Sequence, residues 1–202
     1  REKEFPLAVI SDSDVSGYIG FLDKARLRNY CGIITYPLEY FAKSDSGDDL
    51  RLRDAVCRYQ DKGGKVIVLE GRNLRMELTG DMLSVDVDHG AGGRFAAEYL
   101  LSRRPAKFFT FDYPYIPARY EYFLHTLHET GQDAEIFSAG EIEQLAERLC
   151  RYRTENPGHK VGIFATTDKQ AVPLFCRLLG QGFQPGKDFF LVGYDNQYAT
   201  ML

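Results

Sequence analysis

Short apolar runs alternate with longer segments in which apolar residues recur every three or four positions. Residues 6–10 form an apolar run closed by the polar Ser11–Asp14, and 31–36 form a second one stopped by Pro37. Both read as buried strands. Between them, residues 20–29 read as a helix carrying Phe21, Leu22, Ala25 and Leu27. A polar, Gly/Asp/Ser-rich stretch over 38–48 reads as a loop. Residues 48–62 follow as a helix with Leu52, Val56 and Tyr59 on one face, ended by Gly63-Gly64. Strands are predicted at 65–69, 83–87, 106–111, 134–137, 160–165 and 189–193. The intervening helices are predicted at 90–103 with Phe95, Tyr99 and Leu100 inward, at 118–130 with Phe123, Leu124 and Leu127, at 140–154 with Ile142, Leu145 and Leu149, and at 168–180.

Strands of four to eight apolar residues separated by amphipathic helices define an α/β fold with parallel sheets. About eight strands in 202 residues exceed one small sheet. Two doubly wound lobes divide them, with the break near residue 86: an N-terminal lobe over 1–85 and a C-terminal lobe over 86–202. The chain reads as cut at both ends, starting close to one strand and stopping soon after another.

In such sheets a ligand sits outside the carboxyl ends of the strands. The residues there are Ser11–Asp14, Tyr36, Glu70, Asp86–His89, Asp112–Arg119, Thr166–Asp168 and Tyr194–Asn196. Hydroxyls, carboxylates and aromatic rings dominate this set, which suits a polyhydroxylated ligand. Arg119 opens a helix, where a cation is unfavourable for the dipole, and Asp195 lies in a strand-end turn. These two can grip ligand hydroxyls by charge-assisted bonds; the other reading is a structural Arg–Asp salt bridge across the lobe. Tyr115 is open to a simple packing role, and Glu70 and Thr167 to that of solvated strand ends.

Composition narrows the function classes. Hydrophobic residues at 44% and charged residues at 27% are ordinary for a globular protein. No apolar run reaches the ~18 residues of a membrane span. A net charge of −4 argues against this segment being a nucleic-acid contact surface. Cys31, Cys57, Cys150 and Cys176 form no C-x-x-C pair and read as buried free thiols of a reducing cytoplasm. His89, His125, His128 and His159 match no zinc spacing, so no metal is expected. The glycine-rich start at His89–Phe95 imitates a dinucleotide fingerprint, yet Phe95 stands where Gly or Ala is required and the acidic residue downstream is missing. No P-loop, G-x-S-x-G or other nucleophile–base signature occurs, so neither a cofactor nor an enzyme is expected.

Three segments together resemble the lactose-repressor/galactose-repressor (LacI) family. Ser84–Leu101 is similar to that family's V-x-x-D-x-x-x-G-G-x-x-A-x-x-H-L stretch. Ala118–Leu127 resembles R-x-x-G-F-x-x-A-L, with Tyr122 where Gly is usual. Ile163–Ala171 resembles A-x-x-N-D-x-x-A, and Gly182–Asn196 resembles G-x-x-x-P-x-D-x-x-x-V-G-Y-D-N, the most specific of the matches. Order and spacing agree over about residues 80–200, while the first 80 residues fit in outline. Thr167 in place of Asn, and Arg103-Arg104-Pro105 in place of a Gly-His turn, mark a divergent branch; a xylose-regulator-like protein is one candidate.

The resemblance implies a two-lobed, periplasmic-binding-protein type I sensor that closes on a small effector, a sugar or sugar derivative, in its cleft. It implies a separate helix-turn-helix that contacts DNA, a homodimer and a cytoplasmic location. By motif position it assigns effector contacts to Arg119 and Asp195, and adds Tyr113, Tyr115, Thr167, Asp168 and Glu70 as ligand-binding candidates. The alternative is a secreted sugar-binding protein of a transport system, which has the same fold and cleft.

Overall fold

The computed structural model describes residues 15–25, 32–35, 48–71 and 80–196, which fall into two compact units meeting in sequence at Val87 and Asp88. The strand expected at 6–10, the strand-end residues Ser11–Asp14 and Tyr36, the loop at 38–47 and Cys31 lie outside the described residues.

The first unit contains helix α1 (Val15–Ala25), strand β1 (Gly32–Thr35), helix α2 (Asp48–Asp61) and strands β2 (Lys65–Leu69) and β3 (Leu83–Val85). Its three strands are parallel in the order β1-β2-β3, with Ile33 opposite Val66 and Val68 opposite Ser84. β2 alternates as a strand with one core-facing side should: Val66 and Val68 are buried. They pack with Leu22 from α1, Ala55, Val56 and Tyr59 from α2, and Met82. α1 begins five residues before the sequence reading placed it, because Tyr18, Ile19 and Phe21 extend the apolar face around Leu22. Gly63, at φ 86°, ends α2 in the left-handed region that glycine adopts without strain.

The second unit runs α3 (His89–Ser102), β4 (Lys107–Phe111), α4 (Ala118–Glu129), β5 (Ala134–Phe137), α5 (Ile142–Glu155), β6 (Val161–Phe164), α6 (Asp168–Gly180) and β7 (Phe189–Val192). All four strands are parallel, in the order β5-β4-β6-β7. Both faces of this sheet are covered. On one side Phe108 and Phe164 meet Ala96, Ala97 and Leu100 of α3 and Phe123 and Leu127 of α4. On the other, Phe109, Phe111, Val161 and Ile163 meet Leu145 and Leu149 of α5 and Leu174 and Leu178 of α6. This period-two division of consecutive strand residues between two helical layers explains why these strands read as continuous apolar runs.

Two expectations need correction. Phe95 and Tyr99 do not face the core: they are 67% and 45% exposed. The buried stripe of α3 is Gly93, Ala96, Ala97 and Leu100, the same helical periodicity shifted by one position. Small residues occupy it because α3 and α4 approach closely; a Cβ on Gly93 would lie 2.2 Å from the carbonyl oxygen of Arg119. The three cysteines among the described residues are not buried either: Cys57 and Cys150 are partly exposed and Cys176 is exposed, all three as free thiols. None of the described helices is long and apolar enough to cross a membrane.

Candidate functional site

From β4 the chain passes through α4 to β5 on one flank of the sheet, then through α5 to β6 on the other. The connections that leave β4, through α4 to β5, and β6, through α6 to β7, run in opposite directions, so a crevice opens at the carboxyl ends of β4 and β6, the switch point where doubly wound sheets take their ligands. Arg119 enters it from the start of α4, Thr166–Asp168 from the β6–α6 junction, and Tyr194–Asn196 from the end of β7.

Arg119 is the hub. Its side chain is only 5% exposed. Nη2 donates to Asp195 Oδ1 at 2.7 Å, and Nη1 donates to Asp195 Oδ2 at 3.3 Å and to the Thr166 carbonyl at 2.7 Å. Nε donates to His89 Nδ1 at 3.4 Å. The guanidinium carbon stands 3.9 Å from the Tyr194 ring centroid and 5.4 Å from that of Tyr113. A fork-to-fork pair and ring faces thus hold a buried cation near a helix N-terminus, where the dipole alone would disfavour it. The Asp195 carboxylate is the counter-charge.

Asp195 and the following Asn196 have φ of 86° and 54°. Consecutive left-handed non-glycine residues are costly and persist where the surroundings over-determine them. Here the Arg119 fork fixes Asp195, and the Asp168 N–H donates to the Tyr194 carbonyl at 2.9 Å. Asp168, Tyr194, Asp195 and Asn196, with Gly92 and Gly193, line an open depression of about 500 Å³. Both glycines are there for space. A Cβ on Gly92 would lie 2.5 Å from the Tyr194 ring, and one on Gly193 2.6 Å from Asp168 Oδ1. The lining offers two carboxylates, an amide and an aromatic ring: hydrogen-bond acceptors for hydroxyl groups and a flat face for a ring.

The remaining candidates occupy different places. Tyr113 packs against the guanidinium and meets Tyr115 edge-on at 5.7 Å, with Tyr115 61% exposed. Thr167 is 6% exposed, buried rather than solvated, as the N-cap of α6. Its N–H donates to Gln170 Oε1 at 3.1 Å, the same oxygen that takes the Thr166 hydroxyl at 2.9 Å. Gln170 Nε2 in turn donates to the Ala139 carbonyl. Thr167 therefore helps hold the Thr166 carbonyl under Arg119. Glu70 belongs to the first unit; at φ 62° it turns the end of β2, and its Oε1 accepts the Val87 N–H at 3.0 Å. The Asp86–His89 segment ends in a helix cap, Asp88 accepting the Ala91 N–H at 2.8 Å.

Two site residues were not assigned from sequence. Tyr194 forms the floor under Arg119, and His89, 5% exposed, bonds both Arg119 and the Tyr194 hydroxyl at 2.9 Å. Both stand in the strand-end set. Tyr194 was absorbed into the V-G-Y-D-N pattern and His89 into a glycine-rich helix start. Neither position carries a signal of its own in spacing or periodicity.

Comparison with known proteins bears on the fold. No family model and no curated protein matches the sequence. Among solved structures, a periplasmic binding protein/LacI transcriptional regulator from Alkaliphilus metalliredigens QYMF, complexed with D-xylulofuranose, superposes with a TM-score of 0.59 at 16% identity, over 95% of this chain and 66% of that one. A LacI family transcriptional regulator from Lactobacillus casei with bound sucrose gives 0.59 at 17% identity, over 94% and 68%. An ABC transporter solute-binding protein from Burkholderia multivorans gives 0.57 at 20% identity, over 95% and 68%. The chain thus spans about two thirds of the length of the structures it matches. Parallel sheets, helices on both faces of the second, and this set of neighbours agree: the chain has the periplasmic-binding-protein type I fold of LacI-type effector-binding domains and periplasmic sugar-binding proteins.

Proposed function

We propose that the chain is the small-molecule-sensing domain of a bacterial transcription regulator, and that its effector is a sugar or sugar derivative bound over the Arg119–Asp195 pair. The observation that carries the reading is this buried, bidentate pair at the switch-point crevice, flanked by Tyr113 and Tyr194 and opening onto Asp168 and Asn196. Such a site is built to receive hydroxyls, and two of the neighbours described above hold a furanose and sucrose. Tyr115, Thr167 and Asp168 are proposed to contribute as contacts or as supports of the contacts, and Glu70 is proposed as a ligand-binding residue of the first unit. The domain acts by binding, not by catalysis, and works in the cytoplasm. A separate helix-turn-helix contacts DNA, since the net charge of −4 does not suit this segment to phosphate. A homodimer is supported by α6, where Val172, Phe175 and Leu179 form a 37–44% exposed apolar stripe. The similarity to a transporter's solute-binding protein favours the second reading, a secreted sugar-binding protein.

Thermal unfolding against pentoses, hexoses, sugar phosphates and purines tests the proposal. A ligand at about 100 times its Kd adds about 2.7 kcal/mol of stability. The expected result is a shift with one sugar class, lost in Arg119→Ala and Asp195→Ala. A folded protein that no compound stabilises refutes the sensor reading. Sugar-dependent retention of operator DNA by the full-length protein separates the regulator from the transport protein.

A further inference from the structure

Resting on the sugar-sensor reading, we propose that Gln170 is a positioning residue of the effector site: it pins the Thr166–Thr167 peptide so that the Thr166 carbonyl meets Arg119, and effector affinity depends on that hold. The side chain belongs to α6 and is only 4% exposed. Its two ends are told apart by their partners. The Thr167 N–H can only donate, so the atom it meets at 3.1 Å is the amide oxygen. The Ala139 carbonyl can only accept, so the atom 3.3 Å from it is the amide nitrogen. The same amide oxygen takes the Thr166 hydroxyl, which donates to it at 2.9 Å.

The Thr167 N–H and the Thr166 carbonyl belong to one peptide group. That group is planar and trans, so its N–H and its C=O point in opposite directions. Gln170 holds the N–H edge, and the other edge gives Arg119 Nη1 its acceptor at 2.7 Å. The Thr166 hydroxyl, bonded to the same amide oxygen, adds a second hold on the residue that carries this carbonyl. Nη1 is shared between the carbonyl and Asp195 Oδ2 at 3.3 Å. The direction of the carbonyl therefore sets how the guanidinium fork lies across the carboxylate.

A capping box, with Thr at the N-cap and Gln three residues on, ordinarily satisfies the first N–H groups of a helix and ends there. Thr167 and Gln170 occupy those positions at the start of α6, but the Gln170 amide reaches further. Through Nε2 it is tied to Ala139, between β5 and α5. The Ala139 N–H is held in turn by Asp112 Oδ1, just past the end of β4, at 2.9 Å. The amide is thus anchored from behind and cannot swing away with the peptide it grips. The ends of β4, β5 and β6 are joined through one buried side chain, and Arg119 takes its backbone acceptor from the far edge of that assembly.

The test has two arms on the intact chain and uses two variants. Gln170→Met fills a similar volume and suits a helix, but offers neither an oxygen nor an N–H. Gln170→Glu keeps the oxygen that Thr166 and Thr167 need. The first arm is nitrogen-15 NMR of the ligand-free protein, with the Arg119 Nε–H signal assigned by its loss in Arg119→Lys. The Thr167 amide should be protected from hydrogen exchange in the wild type and in Gln170→Glu. In Gln170→Met it should exchange faster, and the Arg119 signal should move. A freely exchanging Thr167 amide in the wild type overturns the proposal without any variant, as does a folded Gln170→Met that leaves Arg119 unmoved. In the second arm, glucose, sucrose and D-xylulose are titrated calorimetrically. A sugar that binds the wild type should bind Gln170→Met about tenfold more weakly, the scale of one hydrogen bond to a charged group, and Gln170→Glu nearly as tightly as the wild type. A merely structural role would lower stability in both variants without this rescue. Undiminished binding by Gln170→Met, or equal loss in both variants, overturns the proposal. Failure of all three sugars to bind the wild type counts against the sensor reading with these ligands, and the NMR arm then decides the role of Gln170.

Discussion

Replacing Arg119 by Ala strands the Asp195 carboxylate, whose side chain is 21% exposed, and frees the Thr166 carbonyl beneath it. Removing one member of a well-shielded pair costs about 3 kcal/mol, so Arg119→Ala should lower stability by about that amount in urea titrations. Arg119→Lys keeps the charge but not the fork, and cannot hold both Asp195 oxygens and Thr166 at once. It should recover part of the stability while losing the sugar-induced thermal shift; a Lys variant that keeps the full shift would show that charge alone suffices. A second residue-scale effect lies away from the site. The His128 side chain, 3.2 Å away, and the Ala134 N–H hold the Asp133 carboxyl below its ordinary range. A carboxylate depressed in the folded state contributes stability that is present above its unfolded value and lost as pH falls through the folded one. Asp133→Asn should therefore lower stability slightly at pH 7 and leave it unchanged near pH 2. An equal loss at both pH values would assign the effect to packing instead.

At the scale of elements, α3 and α4 meet where Gly93 lies on the Arg119 carbonyl. Alanine is the better helix former by about 1 kcal/mol, but a Cβ 2.2 Å from a backbone oxygen cannot be relieved by a rotamer. The clash costs about 3 kcal/mol, so Gly93→Ala should destabilise by about 2. Gly180→Ala, at the end of α6 with nothing within 4 Å, is the control and should be neutral or mildly stabilising. Most elements were legible because each strand of the second unit is a four- or five-residue segment dominated by apolar residues and each helix carries a periodic face. α3 was misphased because Phe95 and Tyr99 outweigh Gly93, Ala96 and Ala97 in any count of hydrophobicity. A close helix crossing instead selects small residues, and sequence alone does not announce where helices cross. At the candidate site, the strand-end rule brought Arg119 and Asp195 together, and the salt bridge seen between them is one of the two readings the sequence left open. The placement of His89 beside them was not legible, because it depends on the start of α3, the start of α4 and the end of β7 converging in space.

For the molecule as a whole, the second unit holds two full core layers of its own, Phe109 to Phe189 on one face and Ala96 to Phe164 on the other. Residues 88–202 expressed alone should therefore unfold in a single cooperative transition followed by circular dichroism. A non-cooperative melt would mean that this core depends on the first unit. The unit also carries a division of labour. Arg119 and Thr167 are built into the fold, so a change at either is paid in stability before any ligand is met. Tyr115 is 61% exposed and rests on Tyr113 by a ring edge. Under the proposed sugar site, a substitution at Tyr115 should therefore alter ligand preference at little cost in stability, whereas one in the guanidinium–carboxylate clasp should lower stability whatever the ligand.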